Sequence, residues 1–264
     1  MDLRYLGENA LLFFLLFARI MALVEIAPLL SSGSVPQIAK IGLALMTSIL
    51  VLPGVAAAGY PIPDNGLSYA FLVVGEIMLG IIMGFFLVVI FTAFQVAGQF
   101  FSLQMGFGAS EVYDPLAQIE IPLMGQYINL MAMFVFVSVG GFQKLFYTGV
   151  LQSFKVARAY DFLTQRDYLF NFMLSSIGGI FSQALIISLP ILGVLMLESI
   201  TMGLLAKAAP QMNLLMMGFP ISIAVAFLVI LLTLPFMVES FSIVVDNGFA
   251  QIADFLTNIA GEKR

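Results

Sequence analysis

Long apolar runs with few charges, interrupted by short polar or proline-bearing stretches, set the rhythm of this chain. Six such segments stand out, at about 10–30, 38–58, 67–101, 123–140, 168–206 and 214–245. They are far longer than the roughly 4–8 residues of a buried strand, and most approach the roughly 20 residues that carry a helix across a bilayer core. The pattern predicts an all-α, membrane-class fold of about six long helices. Pro190, Pro220 and Pro235 fall inside the last two and are expected to kink them. The breaks are Ser31–Pro36 (SSGSVP), Gly59–Asn65 (GYPIPDN) and Lys207–Asn213 (KAAPQMN). The third segment is too long for one straight crossing, so it tilts, kinks or projects beyond the membrane. Phe142–Asp167, with Lys144, Lys155, Arg158 and Arg166, reads as a more polar stretch. The tail Phe241–Ile259 repeats Phe241, Val245, Phe249, Ile252 and Leu256 at helical spacing. Its polar side carries Asp246 and Asp254 and no basic residue before Lys263. That face suits another protein better than anionic lipid, or else the tail simply continues the sixth helix.

The link from Gln95 to Pro122 (QVAGQFFSLQMGFGASEVYDPLAQIEIP) departs from this rhythm. It is too polar to face lipid, and its Phe, Met and Leu residues are too apolar to leave in water. Gln95 and Gln99 share one helical face, with Ser102 close to it. Gly106 and Gly108 bracket Phe107, and glycine takes positive φ at little cost, so the chain is expected to leave the helix there. Pro115 and Pro122 bias Asp114 and Ile121 away from helix. Non-helical backbone at membrane depth is tolerated when buried in protein or lining a cavity.

Composition confirms the class and removes alternatives. The chain is 61% hydrophobic and 9% charged, with mean hydropathy +1.08 and net charge −5. It has no Cys and no His, which excludes disulfides, thiol nucleophiles, Ser-His-Asp triads and His-ligated zinc. No basic patch suggests nucleic acid. No cofactor motif is present. The N-terminal run reads as a retained helix rather than a signal peptide, because Asp2, Glu8 and Arg19 break the required pattern. A literal count of Lys and Arg places both termini in the cytoplasm.

Ionisable residues within apolar runs are functional candidates by default. Arg19, Glu25, Glu76, Glu198 and Glu239 qualify. In a secondary transporter, Glu76 or Glu198 would couple ions, with Pro190 and Pro235 breaking helices near the site. The plainer reading pairs Arg19 with a nearby Glu. No catalytic constellation assembles, so an enzyme is not expected. Ala18-x-x-x-Ala22, Gly80-x-x-x-Gly84 and Ala93-x-x-x-Ala97 allow close helix packing without naming the partner. The 16 methionines, among them Met212, Met216 and Met217, suit adaptable surfaces or serve as apolar filler.

Two stretches carry a family resemblance. Gly98–Pro115 (GQFFSLQMGFGASEVYDP) resembles the signature of the FliR family of flagellar type III export-gate proteins. Ala209–Pro220 (APQMNLLMMGFP) resembles that family's APQ…GFP turn, with Pro210, Gln211, Asn213, Gly218 and Pro220 at matching positions. Pro190, Gly203 and the Pro28/Pro36 region also fall where the family has them. Gly140-Gly141-Phe142-Gln143 departs from it, since relatives often carry His there. The injectisome homologue SctT is similar.

The resemblance implies a pore for unfolded flagellar subunits, formed with FliP and FliQ, with FlhB attached and one copy of this chain. It implies bent helical hairpins in the bacterial inner membrane at the flagellar basal body, FliP-like over residues 1–165 and FliQ-like over 166–264. The turn at Lys207–Asn213 then faces the cytoplasm, against the literal charge count. Met105–Pro122 would be a plug closing the pore. Gln99, Phe100, Gln104, Met105, Gly106, Phe107, Gly108, Asp114 and Pro115 are its candidate residues.

Overall fold

The computed structural model describes residues 3–106, 112–114, 119–121, 123–156, 166–209, 211 and 214–259. The order is α1 (Leu3–Glu8), α2 (Ala10–Ile26), α3 (Gln37–Ala57), α4 (Gly66–Gln104), β1 (Val112–Asp114), β2 (Ile119–Ile121) and α5 (Leu123–Ser138). Then come α6 (Gly141–Lys144), a π-helical stretch (Leu145–Gln152), α7 (Ser153–Val156), α8 (Arg166–Ala208) and α9 (Leu214–Ile259). The chain is all-α in class, and every expected apolar segment is a helix.

Local chemistry sets the ends. The Asn65 side-chain oxygen accepts from the Leu67 N–H at 3.1 Å, capping α4. Gly140 takes φ +72°, which stops α5 two residues beyond Ser138. Two helices are shorter than their apolar runs: α2 has 17 residues and α5 has 16. Among the described residues, four helices are long and apolar enough to cross a membrane: Gln37–Ala57, Gly66–Gln104, Tyr168–Ala208 and Met216–Asn258. At 1.5 Å per residue α4 alone is about 58 Å long, well beyond a bilayer core of about 30 Å.

Of the more polar stretch Phe142–Asp167, residues 157–165 lie outside the described residues. Residues 141–156 are helical, with Leu145, Val150 and Phe154 buried. The tail belongs to α9, so the sixth helix does continue. Its apolar face is also packed, with Phe241, Val245, Phe249, Ile252 and Leu256 all buried. Between Gly106 and Leu123, β1 and β2 pair antiparallel, with Val112 opposite Ile121 and Asp114 opposite Ile119. Asp114 and Ile121, each preceding a proline, are therefore extended as expected.

The chain divides into two compact units. The first comprises Met1–Val89, Gly140–Ser176 and Asp246–Arg264; the second comprises Ile90–Val139 and Ile177–Val245. Each draws on both sequence halves.

In the first unit, α2 packs against α3 and against the start of α4. A Cβ on Gly80 would stand 2.2 Å from the Arg19 carbonyl oxygen, and one on Gly84 would stand 2.7 Å from Ile26 Cβ. The small-residue stripe of α4 is thus consumed by α2 of the same chain. Phe86, Phe172 and Phe255 cluster with centroids 4.6–5.2 Å apart, and Tyr168 stacks 6.2 Å from Phe172 and from Phe255. In the second unit, a Cβ on Gly98 would stand 2.6 Å from Gly125 Cα, so the backbones of α4 and α5 touch. Phe94 meets Phe241 at 4.7 Å, and Phe91 meets Phe136 at 5.4 Å. The apolar windows of Tyr168–Ala208 and Met216–Asn258 are only 33% and 22% buried. So much open apolar helix surface requires lipid or protein to cover it.

Candidate functional site

The two stretches singled out by sequence meet in the second unit. α4 ends at Gln104, and Met105 and Gly106 turn the chain, with Met105 fully buried. Gly106 takes φ +72°, as the expected exit from the helix requires. The Phe219 ring lies directly on it: a Cβ at Gly106 would come within 2.2 Å of two ring carbons. Gln104 Nε2 donates to Ser199 Oγ at 3.1 Å, tying the end of α4 to α8. Ser222 Oγ donates to Glu198 Oε2 at 3.0 Å, tying α9 to α8. The base of the 105–122 segment is therefore held by three helices.

Other expected site residues fall around this junction. Gln99 is half-buried, and Cβ at Gly125 would lie 3.5 Å from its Cγ. Phe100 is half-buried, whereas its neighbour Phe101 is fully buried. Ser102 is buried without a hydrogen-bond partner among the described residues. Asp114 lies in β1. Gln211 is an exposed turn residue, and Gly218 and Pro220 lie in α9. Phe107, Gly108, Pro115, Pro210 and Asn213 lie outside the described residues. Phe219 was not singled out, although it stands between Gly218 and Pro220. Its neighbour across the fold is 113 positions away (219 − 106), and nothing in a single sequence links the two.

The first unit holds a buried charged cluster. Arg19 and Glu76 are 1% and 0% exposed, and Arg19 Nε donates to Glu76 Oε2 at 2.5 Å. Arg19 Nη1 donates to Ser153 Oγ at 3.1 Å, and the guanidinium lies 3.8 Å from the Phe154 ring centroid. Tyr60 OH donates to the other Glu76 oxygen. Both carboxylate oxygens are therefore engaged, which a buried ion needs if attraction is to offset desolvation. The π-helical stretch ends immediately before Ser153, so both residues that meet Arg19 here open the α-helical turn that follows it.

The remaining ionisable candidates differ. Glu25 accepts from Lys40 and Gln37, each at 2.8 Å. Glu239 is exposed on α9. Glu198 belongs to the second unit, and its Oε1 has no hydrogen-bond partner among the described residues.

Comparison with known proteins gives one consistent family. A family described as "Bacterial export proteins, family 1" matches residues 10–248. The flagellar biosynthetic protein FliR of Borreliella burgdorferi is 31% identical over 213 residues, covering 80% of this chain and 78% of the relative. Its namesake in Escherichia coli is 28% identical over 252 residues, covering 95% and 93%. That of Bacillus subtilis is 28% identical over 250 residues, covering 94% and 93%.

Proposed function

The chain belongs to the bacterial export proteins of family 1, and from that premise we propose that it is a core subunit of the flagellar type III export gate. In this reading it joins FliP and FliQ in a pore for unfolded flagellar subunits, with FlhB attached, in the bacterial inner membrane. The turn at Lys207–Asn213 faces the cytoplasm. Residues 1–165 take the FliP-like role and 166–264 the FliQ-like role. The open apolar surface of α8 and α9 supports an obligate assembly, since such faces are costly to leave bare.

Met105–Pro122 is the closing plug. The observation that carries this reading is the junction of Gly106 with Phe219 and of Gln104 with Ser199. It fixes the point where the segment leaves α4, so that a Phe- and Met-rich constriction can be held in one place. Gly106 supplies the turn, and Gly108 offers a second point of bending. No catalytic step is assigned to any residue.

The competing reading, a secondary transporter, needs a coupling carboxylate free to exchange partners. Glu76 is held by Arg19 and Tyr60 and is poorly suited to that task, which leaves Glu198 as the one carboxylate that reading named and the structure does not engage on both oxygens among the described residues. Deleting residues 106–118 tests the proposal. The assembled gate should then leak ions across vesicles at rest while the unsubstituted gate stays closed. A deletion variant as tight as the intact gate would sink it.

A further inference from the structure

Glu198 sits within the longest apolar stretch of α8, and only half of its carboxylate is satisfied. Ser222 occupies Oε2, and Oε1 has no hydrogen-bond partner among the described residues. Beside it is a recess of about 320 Å³, lined by Gln104, Glu198, Ser199, Met202, Phe219 and Ser222. Among the described residues, no basic side chain lines it. Lys207, the next basic residue along α8, is nine positions on, about 13.5 Å by helix rise. An intramembrane carboxylate without a counter-ion is costly, and such residues pair with a basic group or line a pathway.

We propose that this recess receives one lysine or arginine side chain, carried by an apolar helix of another membrane subunit. The lining chooses among cations. A divalent ion needs several hard oxygen ligands, and among the described residues the recess offers a single carboxylate. Its remaining described walls are two hydroxyls, an amide, a thioether, an aromatic ring and Gly218. These suit a long side chain with an apolar stem and a charged tip: Phe219 offers a π face, Met202 packs against the stem, and Glu198 meets the charge. The terminal torsion of Glu is broad, so Oε1 can turn to the mouth without disturbing α8.

The rim identifies the carrier as a helix rather than a soluble ligand. Val194 and Leu205 lie four positions before and seven after Glu198, on the same face, and both are open. An apolar helix laid along that stripe covers it and delivers its basic residue to the recess. The inference rests on the assembly proposed above.

The test is co-expression of the full, tagged chain with FliP and FliQ, measuring partner recovered per chain. Glu198→Gln keeps the size and removes the charge. It should lower recovery at least fivefold while the amount of chain in the membrane stays the same. Glu198→Lys should abolish export. Its suppressors should replace a Lys or Arg in a membrane segment of a partner by a neutral or acidic residue. Wild-type recovery by Glu198→Gln, or suppressors confined to this chain, would overturn the inference alone. Failure of the unsubstituted chain to recover either partner would overturn the proposed assembly, and the inference with it.

Discussion

Two carboxylates in apolar helices, Glu76 and Glu198, have opposite surroundings. Glu76 is wholly buried, with a guanidinium on one oxygen and a phenol on the other. Glu198 is half-buried, with a serine on one oxygen and nothing on the other among the described residues. The first arrangement is closed: every group in it comes from this chain, and it joins α2, α4, α7 and the Tyr60 loop. The second is open, beside a recess at the base of the proposed plug. An apolar helix can thus carry a charge for two different reasons. The immediate partners, more than the charge itself, tell them apart.

The largest way to break this contrast is to remove Glu76. Glu76→Ala leaves Arg19 buried and uncompensated and should cost about 3–5 kcal/mol. In mild detergent the unfolding midpoint should fall by roughly 10 °C or more. Replacing both members, Arg19→Met with Glu76→Leu, should recover much of that loss, because no buried charge remains. Equal losses for the single and double variants would show that the cluster does more than hold the unit together. Next in size is Tyr60→Phe, which strips one donor from the same carboxylate. It should destabilise by about 2 kcal/mol, the usual scale for a hydrogen bond to a charged group.

Sequence pattern reveals the two regions unequally. Helix existence was legible in the six apolar segments, because runs such as Leu67–Phe101 and Leu214–Val245 are too long and apolar for anything else. The stretch after Phe142 was not, because Lys144 and Lys155 mask its apolar positions and the π-helical turns shift the spacing out of the 3.6-residue period. The exit from α4 was legible in Gly106 and in the two prolines that follow, since those residues constrain backbone directly. The short β1–β2 pairing was not, because nothing in its six residues specifies register. Pairing of Arg19 with a carboxylate was a plain expectation, but several acids competed for it. The choice of Glu76, 57 positions away, depends on how closely α2 approaches Gly80. The contact of Phe219 with Gly106 is long-range in the same sense.

That contact gives the third test. At Gly106→Ala the left-handed backbone costs about 1–2 kcal/mol, and the new Cβ collides with the Phe219 ring. Phe219 is 50% exposed, so its ring has room to turn away. The assembled gate should then leak more at rest. Adding Phe219→Ala removes the collision and leaves only the backbone strain. The double variant should therefore be less damaged than the two single effects predict, by about 0.5 kcal/mol or more in a double-mutant cycle. Strict additivity would mean that the ring and the turn act independently, and the junction would lose its role as the plug's anchor.

The smallest effect is expected at Glu198 itself. In the isolated chain, Glu198→Gln preserves the Ser222 bond through the amide oxygen and removes a charge that no basic residue of the recess balances among the described residues. The unfolding midpoint should therefore barely move, within about 0.5 kcal/mol, or should rise slightly. The isosteric change Glu76→Gln, by contrast, strips the charge from a pair already formed and should destabilise by several kcal/mol. Both measurements are made on the same detergent-solubilised chain with no partner present. If Glu198→Gln proved as costly as Glu76→Gln, Glu198 would have to be engaged within the chain. The open carboxylate would then be a second closed cluster, and no basic side chain from outside would be needed to complete it.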